Sequence, residues 1–188
     1  MYKAKLVKDT RVVTGEVRAS FAHVDKPAAL QEGQDPKYSL QIIISKDDRE
    51  TVDAINKAID NAIAAGAAKF GGKVPKKSML KLPLRDGDVE RDSKEYENCY
   101  FLNCKSEQAP QVVDENRNKV DPSVVYSGCF VRVSLTFFPF AVNGNKGVAA
   151  GLGNVQFLRD GDSLGGGHIS AADDFGAPEA GEEDDFLN

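Results

Sequence analysis

Alternation of apolar and polar side chains predicts a protein built mostly of β-strands. The clearest pattern covers residues 128–142 and repeats every second residue, as expected for a strand with one face in a core. The core-facing set is Val131, Val133, Leu135 and Phe137. An Asn- and Gly-rich stretch at 143–147 predicts a hairpin turn. Further strands are predicted from β-branched and aromatic runs at 10–24, 38–44, 99–104, 111–114 and 148–158.

One segment has helical periodicity. Ser45 is expected to cap this helix, with Asp48 at capping-box spacing, and Gly66 is expected to end it. The apolar face consists of Val52, Ile55, Ile59, Ala62 and Ile63. Gly15 predicts a bulge or bend within the first strand. A single helix after the second strand does not fit repeated βαβ units, so we expect a small, mostly antiparallel β-barrel or sandwich with one inserted helix.

A long insertion at 69–98 separates the helix from the third strand. Loops of this length inside a compact domain are usually functional or mobile. Its first half carries the basic residues Lys69, Lys73, Lys76, Lys77, Lys81 and Arg85, and its second half the acidic residues Asp86, Asp88, Glu90, Asp92, Glu95 and Glu97. The basic half is suited either to wrapping a phosphate backbone or to lying in solvent. The acids either balance those charges or bind a divalent ion.

The C-terminal segment 171–188 is strongly acidic. It holds seven Asp or Glu residues and no Lys or Arg, while the whole chain has a net charge of −5, so residues 1–170 carry +2. Such a composition predicts a disordered tail, reached through a glycine hinge at 165–167. A mildly basic body joined to an acidic tail with Phe186 near its end suggests a protein that binds a polyanion and whose own tail resembles that polyanion in charge. The alternative is a solubilising tail.

The sequence lacks the residue patterns that metal binding, nucleotide binding and hydrolytic catalysis require. The chain has two His, no Trp and no C-x-x-C motif, and Cys99 and Cys104 are predicted to face opposite sides of a strand. Buried thiols are therefore expected, together with no metal and no cofactor. Neither a nucleotide phosphate loop nor a Ser-His-Asp set is recognisable. No apolar run follows the N-terminal lysines, so we expect neither a signal peptide nor a membrane helix and place the protein in a reducing cytoplasm.

The second face of the 128–142 strand is unusual because it combines aromatic, basic and hydroxyl side chains. Its members are Phe130, Arg132, Ser134, Thr136, Phe138 and Phe140. Such a face suits single-stranded nucleic acid, since every base offers a ring to stack on and every phosphate a charge. The alternative is that a loop or a partner subunit covers the phenylalanines.

Five ordered motifs give the chain a family resemblance. They are P-L-R-D-G-D at 83–88, Y-F-L-N-C-K-S at 100–106, P-Q-V-V-D at 110–114, V-Y-S-G-C-F-V at 125–131 and G-V-A-A-G-L-G-N-V-Q-F-L-R-D-G at 147–161. Together they resemble bacteriophage and prophage single-stranded-DNA-binding proteins. The resemblance implies an oligonucleotide/oligosaccharide-binding (OB) barrel, sequence-tolerant binding of single-stranded DNA, and an acidic tail that tempers it.

We therefore predict a non-enzymatic, OB-fold, single-stranded-DNA-binding domain at 1–164 with a hinge and acidic tail at 165–188. It would serve phage DNA replication, recombination or repair in the host bacterial cytoplasm. The stacking candidates are Phe130, Phe138, Phe140, Tyr38 and Tyr100. The phosphate candidates are Lys76, Lys77, Lys81, Arg85, Lys105 and Arg132. Asp184, Asp185 and Phe186 are the candidate contacts to a replication or recombination partner.

The sequence also fits two other hypotheses. In one, the protein is an interaction module of the replication machinery, and its aromatic face is a subunit interface, as in a homodimer. In the other, it is a metal-dependent nuclease that uses the acids of the 69–98 insertion.

Overall fold

The computed structural model describes residues 2–164, which fold into a mostly β structure with two α-helices. The strands are β1 (Lys5–Lys8), β2 (Arg11–Val13), β3 (Val17–Ala28), β4 (Lys37–Ser45), β5 (Leu84–Asp86), β6 (Cys99–Ser106), β7 (Val112–Val113), β8 (Phe130–Val142) and β9 (Asn145–Arg159). The helices are α1 (Arg49–Ala65) and α2 (Gly87–Glu90). Short 3-10 turns lie at Lys77–Met79, Lys94–Tyr96 and Pro122–Val124.

Five strands close into a ring in the order β8–β3–β4–β6–β9, with β8 pairing back onto β9. All neighbours are antiparallel except β6 and β9, which run parallel. This connectivity is that of an OB fold, and α1 is inserted between the second and third strands of the ring. The predicted fold class is confirmed. The ring is not a regular barrel, because β1, β2, β5 and β7 extend it and the β3 and β8 pairings contain register shifts.

The core lies inside the ring and under α1. The four predicted core residues of β8 are at most 1% exposed, and they pack with α1 residues such as Ile55 and Ile59. The alternation of apolar and polar residues along β8 was therefore sufficient to assign its inner face. The hairpin turn is also confirmed: Asn143 and Gly144 both have positive φ, as a two-residue type I′ turn requires.

The cap of α1 differs from the prediction. Ser45 is the last residue of β4, and its Oγ accepts a hydrogen bond from the Asp47 N–H at 3.2 Å. Asp48 is the N-cap instead, and its carboxylate accepts from the Thr51 N–H at 3.1 Å. Ser45 pairs with Cys99 on β6, and this strand pairing fixes it in extended backbone, so the helix begins four residues later.

The predicted first strand at 10–24 is two strands, because the chain leaves the sheet at Gly15. The Gly15 N–H donates to Thr51 Oγ1 at 2.9 Å, and a Cβ there would lie 3.0 Å from Asp48, Thr51 and Tyr2. β3 then continues to Ala28, beyond its predicted end. The 69–98 insertion is also more ordered than expected, since β5 pairs with β6 and α2 packs beside it.

Candidate nucleic-acid interface

The outward face of the ring forms a groove over β3, β4 and β6. Strand register aligns Ser20, Gln41 and Asn103 across these three strands, with Lys105 opposite Ser39 at the next outward position. We call this surface the β4–β6 groove; it encloses about 360 Å³. Its side-chain lining includes Phe21, His23, Leu30, Ser39, Gln41, Arg91, Asn103 and Lys105. A second hollow of about 340 Å³ adjoins it, lined by the β3–β4 loop, Lys37 and Lys105.

The floor of the groove is polar and fixed by hydrogen bonds. The Gln41 side-chain amide donates to Asn103 Oδ1 at 2.8 Å, and Gln41 Oε1 accepts from the Tyr96 hydroxyl at 2.6 Å. Gln41 is 3% exposed, so its orientation depends on these two contacts. A rigid polar floor of this kind orients a ligand without filling the groove.

Phe21 is the most prominent aromatic side chain of the groove. It lies where the β3–β4 register shifts between Ser20 and His23, and its φ is +44°, a value that non-glycine residues adopt rarely. Its side chain is 60% exposed. The strained backbone turns a large ring outward, next to the exposed Leu30. Strain of this kind is concentrated at functional sites.

Cationic side chains flank the groove. The Arg91 guanidinium lies 4.8 Å from the ring centroid of the buried Phe101 and 5.5 Å from that of Tyr96. Stacking on these rings holds Arg91 in place. Neither Arg91 nor Lys105 forms an ion pair with a carboxylate of residues 2–164. Both charges are therefore available to an anionic ligand.

The outward face continues from Lys105 onto β9 and β8. Lys105 aligns with Gly151, and Gly151 with Thr136. Phe138, 45% exposed, lies beside Gly151: a Cβ on this glycine would be 3.6 Å from the Phe138 ring. Phe138 thus adjoins the Lys105 end of the β4–β6 groove. Phe140 lies further along the hairpin opposite Gly147 and is partly buried.

The other predicted stacking residues are placed differently. Phe130 is on the outward face, aligned with Arg18, but Arg159 lies over its ring at 3.7 Å and Gly161 packs against its edge. Tyr38 packs against the main core. Tyr100 has the Lys46 ammonium 5.0 Å from its ring, and both tyrosines alternate with the groove-facing residues of their strands. Their stacking role stays a prediction.

The predicted basic loop is divided between two places: Lys81 lies along the hairpin arm, whereas Arg85 lies on β5 with its guanidinium 5.1 Å from the Phe101 ring, which Arg91 also approaches. Lys81 is tied to β9 through backbone hydrogen bonds with Lys146 and Val148, both of 2.9 Å. Lys77 pairs with Asp60 at 2.6 Å, and Arg85 pairs with Glu90 at 2.6 Å. Lys76 is exposed. Two of the four phosphate candidates in this loop are therefore already neutralised by acidic neighbours.

Arg132 lies on the β8–β9 side of the ring, away from the β4–β6 groove. Its guanidinium donates to the carbonyl oxygens of Thr14 at 3.0 Å and Lys3 at 3.2 Å and lies 5.0 Å from the Tyr2 ring centroid. These contacts connect the N-terminal segment to the ring. The predicted partner contacts Asp184, Asp185 and Phe186 are outside the described residues.

Three acids of the insertion, Asp86, Asp88 and Glu90, act as structural partners of basic side chains. The Lys46 ammonium donates to Asp86 at 2.7 Å and to Asp88 at 2.6 Å, and these bonds raise the pKa of Lys46. The same lysine, and the Asn98 N–H, hold the pKa of Asp88 below its ordinary value. Within residues 2–164, no three His, Cys, Asp or Glu side chains gather in a metal-binding arrangement.

The cysteines are placed as expected for structural thiols. Cys104 and Cys129 are buried, and Cys99 is partly buried on the opposite face of β6 from Cys104. Burial raises the pKa of the Cys104 thiol to about 12. Across the described part of the chain, no helix combines the length and the apolar character that a bilayer span requires.

The alternation pattern missed Phe21, Leu30 and Arg91. Leu30 and Arg91 come from loops, and Phe21 from the register shift of β3. By alternation Phe21 falls with Val17 and Ala19, which are buried, so the sequence pattern gave no signal for its exposure. Its exposure depends on strand pairing, which the sequence does not display.

Comparison with known proteins identifies the family. The family described as Enterobacter phage Enc34, ssDNA-binding protein, matches residues 10–187. The chain belongs to this family. It is 30% identical over 189 residues to the putative protein p50 of Acyrthosiphon pisum secondary endosymbiont phage 1, with 94% of this chain and 98% of the relative aligned. The resemblance inferred from the ordered motifs is thus confirmed.

Solved structures agree with this family assignment. The single-stranded DNA-binding protein from bacteriophage Enc34, in complex with ssDNA, matches with a TM-score of 0.69 and 28% identity, covering 88% of this chain and 98% of that chain. The single-stranded DNA-binding protein gp2.5 encoded by bacteriophage T7 matches with a TM-score of 0.57 and 16% identity, covering 83% and 95%. At that identity the likeness to gp2.5 concerns the fold alone.

Proposed function

We propose that this protein binds single-stranded DNA without sequence preference along the β4–β6 groove. The observation that carries the proposal is the exposed Phe21 ring above a polar floor, with Arg91 and Lys105 beside it. Aromatic rings stack with any base, and cations follow the phosphates, so the combination favours affinity over sequence readout. Family membership supports the ligand, since the related Enc34 protein was solved in complex with ssDNA.

The bound strand would leave the groove past Lys105 and reach Phe138 on the hairpin arm. In OB folds the face of the second and third strands, together with the first–second and fourth–fifth loops, binds oligonucleotides. Here those strands are β4 and β6, and the loops are the β3–β4 loop with Leu30 and the β8–β9 turn. The proposed track therefore uses the surface that this fold presents to nucleic acids.

The test is a salt-dependent titration with oligo-dT. Arg91→Gln with Lys105→Gln removes two proposed phosphate contacts, which should reduce the slope of log affinity against log salt by about 1.4, at roughly 0.7 per contact on single strands. The charge-matched control is Lys5→Gln with Lys8→Gln on β1, whose side chains are exposed and outside the groove. Equal slopes for the two double variants would exclude this groove as the DNA site.

The wider role we propose is to coat transient single strands during phage DNA replication, recombination or repair, without bond chemistry. The acidic C-terminal segment would compete with DNA for the cations of the groove and contact replication or recombination proteins through Asp184, Asp185 and Phe186. Seven carboxylates and no basic residue in 171–188 support the competition. An affinity capture comparing the full chain with one truncated at 170 tests the partner contact.

A subunit interface is the alternative role for the aromatic residues. It is favoured by the exposed Phe138 and Val142, which leave an apolar surface on the hairpin arm. The two roles predict different effects of salt, because counterion release makes DNA binding fall steeply as salt rises, whereas apolar subunit contacts do not weaken in this way. Light scattering during the oligo-dT titration measures assembly size and binding together.

A further inference from the structure

A second concave surface lies on the β8–β9 side of the ring, away from the β4–β6 groove. It encloses about 410 Å³ and runs between the N-terminal segment with β2 on one side and the turn after β7 on the other. We call it the arginine groove. Its wall and floor residues include Tyr2, Arg11, Val13, Val113, Arg117 and Arg132.

The arginine groove combines positive charge with an apolar floor. Arg11 and Arg117 are exposed, and neither takes part in an ion pair within the described residues. Val13 and Val113 are only partly buried and line the groove between them. Its one carboxylate, Glu115, accepts a hydrogen bond from the Tyr2 hydroxyl at 2.7 Å. A ligand with carboxylates beside an aromatic ring would complement this surface.

The chain itself contains such a ligand twice. The tripeptide D-D-F occurs at 173–175 and again at 184–186, and no Lys or Arg follows Arg159. Each copy offers two carboxylates, which guanidinium groups bind in a planar, bidentate manner, and one ring for the valine floor. A DNA strand would supply the charges but would find only Tyr2 to stack on.

Chain length favours the second copy. Gln156, which lines the groove, is eight residues from Leu164, so the two are at most about 28 Å apart. Nine residues from Leu164 to Asp173 span about 31 Å only when fully extended, whereas the twenty to Asp184 span up to about 70 Å. The second copy therefore reaches the groove without full extension.

We propose that Asp184, Asp185 and Phe186 bind in the arginine groove of their own chain. This binding holds the acidic segment away from the β4–β6 groove, a consequence that rests on the proposed function. The acidic segment would then divide its time between the two grooves. DNA displaces it from the β4–β6 groove, and the arginine groove holds it afterwards. The docked contact itself requires no DNA, so it is testable separately.

The first experiment uses a single tryptophan. The chain has no Trp, so Phe186→Trp in the full-length protein places one reporter at the segment in question. We expect slow acrylamide quenching and high anisotropy. Adding Arg11→Gln with Arg117→Gln should lower the ratio of docked to free segment by about tenfold, because two guanidinium–carboxylate contacts are lost. Arg91→Gln with Lys105→Gln alters only the competing β4–β6 groove and should leave the docked signal as strong as before or stronger.

Three results would overturn the proposal. The first is quenching that Arg11→Gln with Arg117→Gln does not alter, while circular dichroism shows both proteins folded. The second is a docked signal lost on hundredfold dilution, which would mean that the segment binds another copy. The third is a signal abolished by the Arg91 and Lys105 substitutions, which would place the segment in the β4–β6 groove.

A second experiment links the arginine groove to DNA binding. At low salt, Arg11→Gln with Arg117→Gln should weaken oligo-dT binding in the full chain by releasing the acidic segment. The same double variant should bind normally when the seven acids of 171–188 are changed to their amides. Weakened binding in the neutralised chain would mean that Arg11 and Arg117 contact DNA directly, and would refute the linkage. If DNA binding itself fails, the tryptophan signal still reports docking.

Discussion

The guanidinium of Arg159 lies 3.7 Å from the centre of the Phe130 ring. Arg18 approaches the same ring at 5.6 Å, and Arg159 also pairs with Glu16 at 2.7 Å. Phe130 is therefore stacked against arginine before any ligand arrives. A base could stack on it only by displacing Arg159, whereas Phe21 and Phe138 offer rings that are already exposed.

This difference predicts a ranking among single alanine substitutions. Phe21→Ala and Phe138→Ala should each weaken oligo-dT binding by about 1–3 kcal/mol, the usual contribution of one base–aromatic stack. Phe130→Ala should weaken it less and should lower the free energy of unfolding instead, because it removes the ring on which two arginines pack. Fluorescence titration and urea unfolding measure the two effects.

Leu6→Ala on β1 is the matched control, since Leu6 is also an exposed apolar side chain. It should change neither quantity by more than about 0.5 kcal/mol. If Phe21→Ala folds normally and binds oligo-dT as tightly as the original protein, Phe21 is not a stacking residue.

The four phosphate candidates of the basic loop should differ in their contribution to DNA binding, two contributing more than the other two. Lys76→Ala with Lys81→Ala should flatten the salt dependence of oligo-dT binding by up to about 1.4 in slope, at about 0.7 per contact. Lys77→Ala with Arg85→Ala should flatten it less, because Asp60 and Glu90 already pair with these two cations. DNA binding should also protect the loop from trypsin.

The comparison between the two pairs contains its own control, since each removes two positive charges from the same segment. Equal slopes for both pairs and for the unchanged protein would assign the whole loop to solvent.

Deleting residues 171–188 should tighten oligo-dT binding. Removal of seven carboxylates leaves the cations of the β4–β6 groove without an intramolecular competitor, and apparent affinity rises as the fraction of open protein rises. The gain should be larger at about 50 mM than at about 300 mM salt, because salt screens the competing charges. The deletion should also expose weak binding to duplex DNA. Equal oligo-dT affinities at the lower salt concentration would refute the competition.

The Lys46–Asp88 pair should make stability depend on acid pH. Asp88 has a pKa below its ordinary value of 3.8 in the folded protein, mainly because Lys46 donates to it. Its ionised form therefore stabilises the fold above the ordinary pKa, and this contribution is lost as the pH falls through the folded value. Lys46→Gln should reduce the fall in the free energy of unfolding between about pH 5 and pH 2.

Urea unfolding at several pH values measures this loss, with Lys8→Gln as the control for removing an exposed lysine. An identical pH dependence for Lys46→Gln and the original protein would show that the pair contributes nothing to acid stability.

Local patterns were enough for the strands whose two faces differ in polarity. β8 shows this best, because burying one face of a strand selects apolar side chains at every second position. The Asn143–Gly144 turn was equally predictable, because Asn and Gly are among the few residues that readily adopt the positive φ this turn requires. The sequence correctly marked Gly15 as a break in the first strand. The role of Gly15, a close approach of its backbone to Thr51, could not be predicted because Thr51 belongs to α1.

The site was less predictable, because it depends on which strands become neighbours. Phe130 and Phe138 look equivalent in the alternation of β8, yet Arg159 covers one ring and Gly151 leaves the other open. Lys77 and Arg85 look like free cations until Asp60 and Glu90 are brought beside them. Most of these contacts join residues far apart in the chain, and the Arg85–Glu90 pair, although local, depends on the way α2 folds beside β5.

The sequence by itself determined the β-rich class, the inner face of β8, the position of the helix and the charge contrast between the body and its last eighteen residues. These follow from local periodicity and composition, which act on each segment independently. Only the tertiary structure decided that Phe21 faces outward beside Arg91 and Lys105, and that Arg132 lies on another side of the ring. Strand register and ring closure set these positions, because pairing partners are chosen by the whole chain and are not encoded in any one segment.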